Sequence, residues 1–148
     1  MIYTAMTKKA IRLIFQAHAG QTDKAGLPYV THPLHVAESM EDEITCTAAL
    51  LHDVVEDTAY TFEDLARMGF NEEVIEILHL LTHDPSVPYL EYVRSIAGNK
   101  KAARVKMADL LHNSDLTRID HVTEKDLQRI EKYKQAMEIL KEGEDNGR

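Results

Sequence analysis

The chain has 148 residues, a length that fits one domain with a properly buried core. With 44% hydrophobic and 28% charged residues, six Gly and four Pro, it is poor in turn formers, and an all-α fold is the first expectation. Seventeen basic against 25 acidic residues give a net charge of −8, which argues against non-specific binding to nucleic acid or to an anionic membrane and requires any phosphate-bearing ligand to be held locally.

Residues 4–19 place Ile11, Ile14, Phe15 and His18 at helical spacing, predicting a helix that Gly20 ends. His18 falls on its apolar stripe and reads first as a hydrogen-bonded core histidine, with a supporting role behind a site as the alternative. Gln21–Thr31 carries Gly26 and Pro28 without a period and is a loop of the kind that often touches ligand. His32-Pro33 opens the next helix, to about Met40, with proline at the first helical position and His32 at the N-cap; His35 is a reserve candidate one turn on. A helix is expected over Ile44–Thr58. Its Cys46 is the only cysteine of the chain, so a disulfide framework and a Cys-rich zinc site are both excluded.

Thr61–Asp64 has the spacing of a capping box and starts a short helix stopped by Gly69, and Asn71 caps another with a stripe of Val74, Ile75, Leu78 and Leu81. His79 and His83 read as structural or exposed. Pro88–Ala97 presents Tyr89, Tyr92, Val93 and Ile96 for packing. Lys100–Leu116 is basic in its first half and places Asp109, His112 and Asn113 on one face in its second. Thr123 and Asp126 cap a last amphipathic helix through about Leu140, and Lys141–Arg148 is expected to fray. The chain is therefore expected to be a single domain over 1–148, with its core in about 4–140. It shows no charged N-terminal segment with an apolar run of signal length and no stretch of about 20 apolar residues, which predicts a cytoplasmic protein.

The helix 44–58 is the feature that demands chemistry. Its interior is nearly all apolar, yet it carries His52 and Asp53 side by side and Glu56 and Asp57 one turn later. Buried carboxylates cost several kcal/mol unless they are paired, bound to a metal or kept for reaction. With His32 and Asp109, the pair His52-Asp53 forms a set of two imidazoles and two carboxylates from three helices, suited to Mn²⁺, Fe²⁺ or Zn²⁺. Two carboxylates offset the ion's charge, so a site costly when empty becomes nearly neutral when filled, with a Lewis acid and an acidified water at hand. Glu56 and Asp57 stand beside that water.

Four segments carry a resemblance: A-H-A-G-Q at 17–21, G-x-P-Y-x-x-H-P at 26–33, A-A-L-L-H-D-V-V-E-D-T at 48–58 and K-M-A-D-L-L-H-N at 106–113. Their H…HD…D order is similar to that of the HD-domain metal-dependent phosphohydrolases. More narrowly, they resemble the (p)ppGpp hydrolase domain of the RelA/SpoT family and its small stand-alone alarmone hydrolases, over roughly residues 8–117. The resemblance implies an all-α HD-domain helical bundle with Mn²⁺ held by His32, His52, Asp53 and Asp109. It also implies Glu56 and Asp57 as the pair that positions and activates the hydrolytic water, and Asn113 as a nucleotide contact. The implied reaction removes the 3′-pyrophosphate of guanosine 3′,5′-bis(diphosphate) (ppGpp), giving GDP and pyrophosphate.

Two positions depart from that pattern. The family's R-K-x-G loop, whose arginine lies against the base, here reads Asp23-Lys24-Ala25-Gly26, so a stacking cation gives way to an anion and purine selectivity is expected to fall, with Lys24 retained. The arginine of the family's A-D-R-L-H-N is Leu110. Phosphates are expected on Lys24, Lys106 or Arg104. The alternative functions are an HD phosphohydrolase of another small nucleotide, such as NADPH or a nucleoside mono- or triphosphate, and a nucleotide-sensing HD module without turnover. The oligomeric state is open at this stage.

Overall fold

The computed structural model describes residues 1–146, with side chains described through Glu144. In chain order its helices are α1 (Ala5–Ala17), α2 (Thr31–Glu38), α3 (Glu43–Leu51), α4 (Val54–Asp57), α5 (Phe62–Arg67), α6 (Glu72–Leu81), α7 (Tyr89–Ala97), α8 (Lys100–Asn113) and α9 (Glu124–Asn146), with a 3-10 turn at Leu116–Arg118. The fold is all-α, as expected, and no described helix is long and apolar enough to cross a membrane.

The centre of the bundle is α3. Every residue from Thr45 to Leu51 is buried, because a helix apolar all round is stable only when covered all round. It is covered by α1, α2, α6 and α8, while α7 and α9 pack against each other and against α8. The hydroxyls on α3 do not stay orphaned: Thr47 Oγ1 donates to the Glu43 carbonyl at 2.7 Å and Thr45 Oγ1 to that of Asp42 at 3.4 Å. Local signals fix most helix starts. Asp42 accepts from the Thr45 amide, Thr61 and Asp64 form the expected reciprocal box, and Asn71 and Asn99 cap α6 and α8. Thr123 and Asp126 pair reciprocally at the start of α9.

Five expectations are corrected. The helix over 44–58 is broken into α3 and α4, because the His52 ring takes the Ala49 carbonyl and Asp53 turns out of helical geometry at φ −108°, ψ 2°. The N-cap of α2 is Val30, not His32: the turn begins earlier, with the Thr31 and His32 amides on the Pro28 and Tyr29 carbonyls. Pro33 then occupies a first-turn position where a missing N–H costs no helical bond. Phe15 is 54% exposed, since α1 turns Thr7, Ala10, Leu13 and Ile14 inward instead. The helix over 100–116 ends at Asn113, where the Ser114 amide takes the carbonyl of Leu110. The last helix runs on to Asn146, held by close approach to α7: a Cβ on Gly143 would meet the Ala97 Cβ at 2.9 Å. Of the tail expected to fray, residues 147–148 lie outside the described residues.

Candidate metal centre

The four sequence-selected ligands converge from three places. The first turn of α2 brings His32, the break between α3 and α4 brings His52 and Asp53, and the last turns of α8 bring Asp109. His32, His52 and Asp109 are buried, and one donor atom of each lies within 4.8 Å of the others. Asp109 Oδ1 is 2.8 Å from His32 Nε2 and 3.4 Å from His52 Nε2; Asp53 Oδ2 is 3.0 Å from His52 Nε2 and 3.9 Å from His32 Nε2.

The protonation pattern suits a divalent cation. His52 Nδ1 lies 2.6 Å from the Ala49 carbonyl oxygen, which can only accept, so Nδ1 carries the proton and Nε2 faces the cluster. Nε2 is buried without a hydrogen-bond partner although two carboxylates are beside it. A ring nitrogen aimed at two anions calls for a positive charge there, a proton or a cation. Burial disfavours a charged His52, yet Asp53 and Asp109 outweigh it and raise its pKa well above the ordinary value. That extra proton does electrostatically what a divalent ion would do there.

The carboxylates are themselves held. Burial works to raise the pKa of Asp109, but Lys106, His32 and His52 pull it well below the usual range. Lys106 Nζ is 3.0 Å from Asp109 Oδ2, and Asn113 Nδ2 donates to Asp109 Oδ1 at 3.0 Å. The Asn113 amide thus spends a donor on Asp109. The Tyr29 hydroxyl donates to Asp53 Oδ2. Asp53, Glu56 and Asp57 each offer an oxygen within 4.8 Å of the others. Glu56 Oε1 accepts the His83 amide at 2.9 Å, and Gln21 Nε2 donates to the Asp57 carbonyl at 3.0 Å. Desolvation, then the charges of Asp53 and Glu56, push the Asp57 carboxyl up to about 6. A carboxyl poised near neutrality can take or return a proton at physiological pH.

The loop of residues 21–30 tells a different story from its sequence. Asp23 is not a bare anion facing a ligand: Oδ1 accepts the Ala25 and Leu27 amides, both at 2.9 Å, and Oδ2 takes Arg118 Nη2 at 2.9 Å. Lys24 is exposed, and the positive charges of Arg129 and Lys132 on α9 add to desolvation in lowering its pKa. Lys132 Nζ stands 4.6 Å and Lys106 Nζ 5.8 Å from the centre of the same Tyr89 ring. Cations therefore gather on one side of this acidic chain, with Asp126 among them 2.9 Å from Arg129, through residues of α9 that lacked any motif. Arg104 is not part of this gathering. It lines a groove of about 840 Å³ with Lys100, Met107 and Leu111 on another side of α8 from Lys106.

The remaining candidates are structural partners. His18 is buried, with Nδ1 2.9 Å from Gln21 Oε1 and its ring against Tyr29, and burial lowers its pKa. His79 stacks on Phe62 and His83 on Tyr92. His35 stacks on His112, whose Nδ1 lies 2.7 Å from Nδ1 of His32. Sequence reasoning gave Tyr29, Arg118, Arg129 and Lys132 no role and marked His112 only as sharing a polar face with Asp109 and Asn113; for Tyr29, its place in the G-x-P-Y segment was the available signal.

A helical bundle with two histidines and two aspartates from three elements around one point is the arrangement of an HD domain. The match to the HD-domain family HD_4 spans residues 10–108, more than half of the chain, and the chain belongs to that family. Within it, the chain is similar to the guanosine-3′,5′-bis(diphosphate) 3′-pyrophosphohydrolase MESH1 of Danio rerio, 39% identical over 129 residues, which covers 78% of this chain and 71% of that protein. It is also 34% identical over 122 residues to a probable GTP pyrophosphokinase of Mycobacterium leprae, covering 74% of this chain but 15% of that one. The chain spans about a sixth of the length of the long curated relatives it matches. A solved structure described as a metazoan ortholog of SpoT that hydrolyzes ppGpp superposes with a TM-score of 0.77 at 27% identity, over 95% of this chain and 88% of the other.

Proposed function

We propose that this chain is a metal-dependent phosphohydrolase that removes the 3′-pyrophosphate of ppGpp, releasing GDP and pyrophosphate. The observation that carries the metal reading is the buried Nε2 of His52, unpartnered between two carboxylates. His32, His52, Asp53 and Asp109 would hold the ion, with Mn²⁺ the ion proposed, and a divalent ion bound there supplies Lewis acidity toward a phosphoryl oxygen and acidifies water. Glu56 and Asp57 would orient the attacking water and take its proton. Their oxygens lie close to Asp53, and Asp57 is already raised to about 6. The substrate reading is supported by the stated activities of the MESH1 proteins and of the solved SpoT ortholog. Lys24, Arg129, Lys132 and Lys106 would offset the phosphates, and Asn113 and the loop of residues 21–30 would meet the nucleotide. The proposed compartment is the cytoplasm, consistent with a single free thiol, Cys46.

A panel of nucleotides tests this. With Mn²⁺ present, purified protein is expected to release pyrophosphate from ppGpp faster than it cleaves NADPH or nucleoside mono- and triphosphates. Background release from ppGpp beside rapid cleavage of another nucleotide would remove the alarmone and keep the phosphohydrolase.

A further inference from the structure

His32 has two ring nitrogens with two very different neighbours. Nε2 faces the carboxylate cluster, 2.8 Å from Asp109 Oδ1, while Nδ1 faces away from it, 2.7 Å from Nδ1 of His112. Two imidazole nitrogens at that distance share one proton, so one ring donates and the other accepts. His112 is well placed to stay there. Its ring stacks on His35, centroids 4.0 Å apart at 22°, and its carbonyl accepts Arg118 Nη1 at 2.9 Å.

A histidine nitrogen that faces a cation must be bare, and the proton of the neutral ring then sits on the other nitrogen. For His52 the backbone settles this, because Nδ1 donates to the Ala49 carbonyl. His32 has no carbonyl in that place. We infer that His112 is the positioning residue for a divalent cation at this site: it accepts the His32 Nδ1 proton and so turns the His32 Nε2 lone pair toward the ion. This rests on the reading of His32, His52, Asp53 and Asp109 as a metal shell.

The choice of histidine has a reason that a carbonyl would not satisfy. Without the ion, His32 can donate from Nε2 to Asp109 Oδ1 while its Nδ1 accepts from His112 Nδ1. With an ion bound, His32 would carry its proton on Nδ1, donated to His112 Nδ1, and His112 would carry its own on Nε2, with one proton released at His32 Nε2 and one taken up at His112 Nε2. Both rings stay neutral and the proton count balances. A partner able only to accept could not serve both states.

The test is a Mn²⁺ titration of metal-free protein, followed by the electron paramagnetic resonance signal of free aqueous Mn²⁺. His112→Phe keeps a ring against His35 but offers no acceptor, and it is expected to weaken Mn²⁺ binding roughly 10- to 100-fold. His112→Asn, whose Oδ1 can accept from His32 Nδ1, is expected to recover most of the affinity, and His35→Phe to leave it unchanged. Wild-type affinity in His112→Phe, or equal weakness in the Phe and Asn variants, overturns the inference. A second readout needs no substitution and no folding assumption: ring-nitrogen NMR of the Zn²⁺-loaded wild type is expected to show protons on His32 Nδ1 and His112 Nε2, and a proton on His112 Nδ1 overturns it. Wild-type protein that takes up neither ion removes the metal shell itself, an outcome distinct from a variant that binds as the wild type does.

Discussion

Glu56 differs from the four proposed ligands in one respect that mutagenesis can read: its carboxylate lies near Asp53 but outside the cluster that His32, His52 and Asp109 form. Glu56→Gln preserves shape and removes the proposed base. It is expected to keep Mn²⁺ affinity, measured by titration, while kcat falls roughly 10²- to 10⁴-fold; unchanged turnover removes Glu56 from the mechanism. Asp23 carries the opposite lesson. From sequence it is an anion where relatives carry a cation, and Asp23→Arg reads as a repair of purine affinity. In the structure its carboxylate holds two amides of its own loop and Arg118. Asp23→Arg is therefore expected to lower stability by about 1–3 kcal/mol in denaturant unfolding, the cost of losing charged hydrogen bonds in a mostly buried setting, and to bring no gain in nucleotide affinity. The proposed ligands were legible in the sequence because polar groups beside apolar helical runs are conspicuous. Tyr29 and Arg118 were not, because each acts through a partner far along the chain that no local spacing reveals, and the spacing that put His112 on the face of Asp109 did not reveal its contact with His32.

Helices were legible by period and cap, and their breaks were not. The apolar run through Val54 and Val55 reads as continuous, and only the bond from the His52 ring to the Ala49 carbonyl shows why α3 stops. Two substitutions test the elements. Asp42 caps α3 through the Thr45 amide; burial works to raise its pKa, but the bonds from Thr45 together with the charges of Lys101 and Arg104 hold it below 3.8. A depressed carboxyl contributes stability that is present above its unfolded value and lost as pH falls through its folded one. Asp42→Ala is therefore expected to cost about 1 kcal/mol at pH 7, with the difference from wild type closing at pH values below 3.8; a pH-independent difference would contradict the cap. At Gly143 a helical glycine would ordinarily gain from alanine, by roughly 0.5–1 kcal/mol. Here the added Cβ would lie 2.9 Å from the Ala97 Cβ and 3.3 Å from its carbonyl oxygen. Gly143→Ala is expected to lower the melting temperature, through about 1–3 kcal/mol of overpacking between α7 and α9.

Across the whole molecule, the bundle gathers side chains separated by 77 residues, as in the pair His32 and Asp109, into one cluster of imidazoles and carboxylates with Asp109 buried at its centre. Such a cluster is a liability to folding that an ion would relieve. Mn²⁺ at a hundredfold excess over its Kd is expected to stabilise the fold by about 2.7 kcal/mol, read as a rise in melting temperature that chelation reverses. The all-α class was legible because composition and period agree along the chain. The gathering of Lys24, Arg129 and Lys132 was not, since it joins a loop to a helix a hundred residues later and is hidden within a net charge of −8. What the bundle is proposed to do is most directly tested by phosphorus NMR of ppGpp incubated with the protein and Mn²⁺. The expected spectrum shows the ppGpp resonances decaying as those of GDP and inorganic pyrophosphate grow in equal amount, with no decay after chelation or in Asp109→Ala. Intact ppGpp, or release of orthophosphate in place of pyrophosphate, would contradict the account.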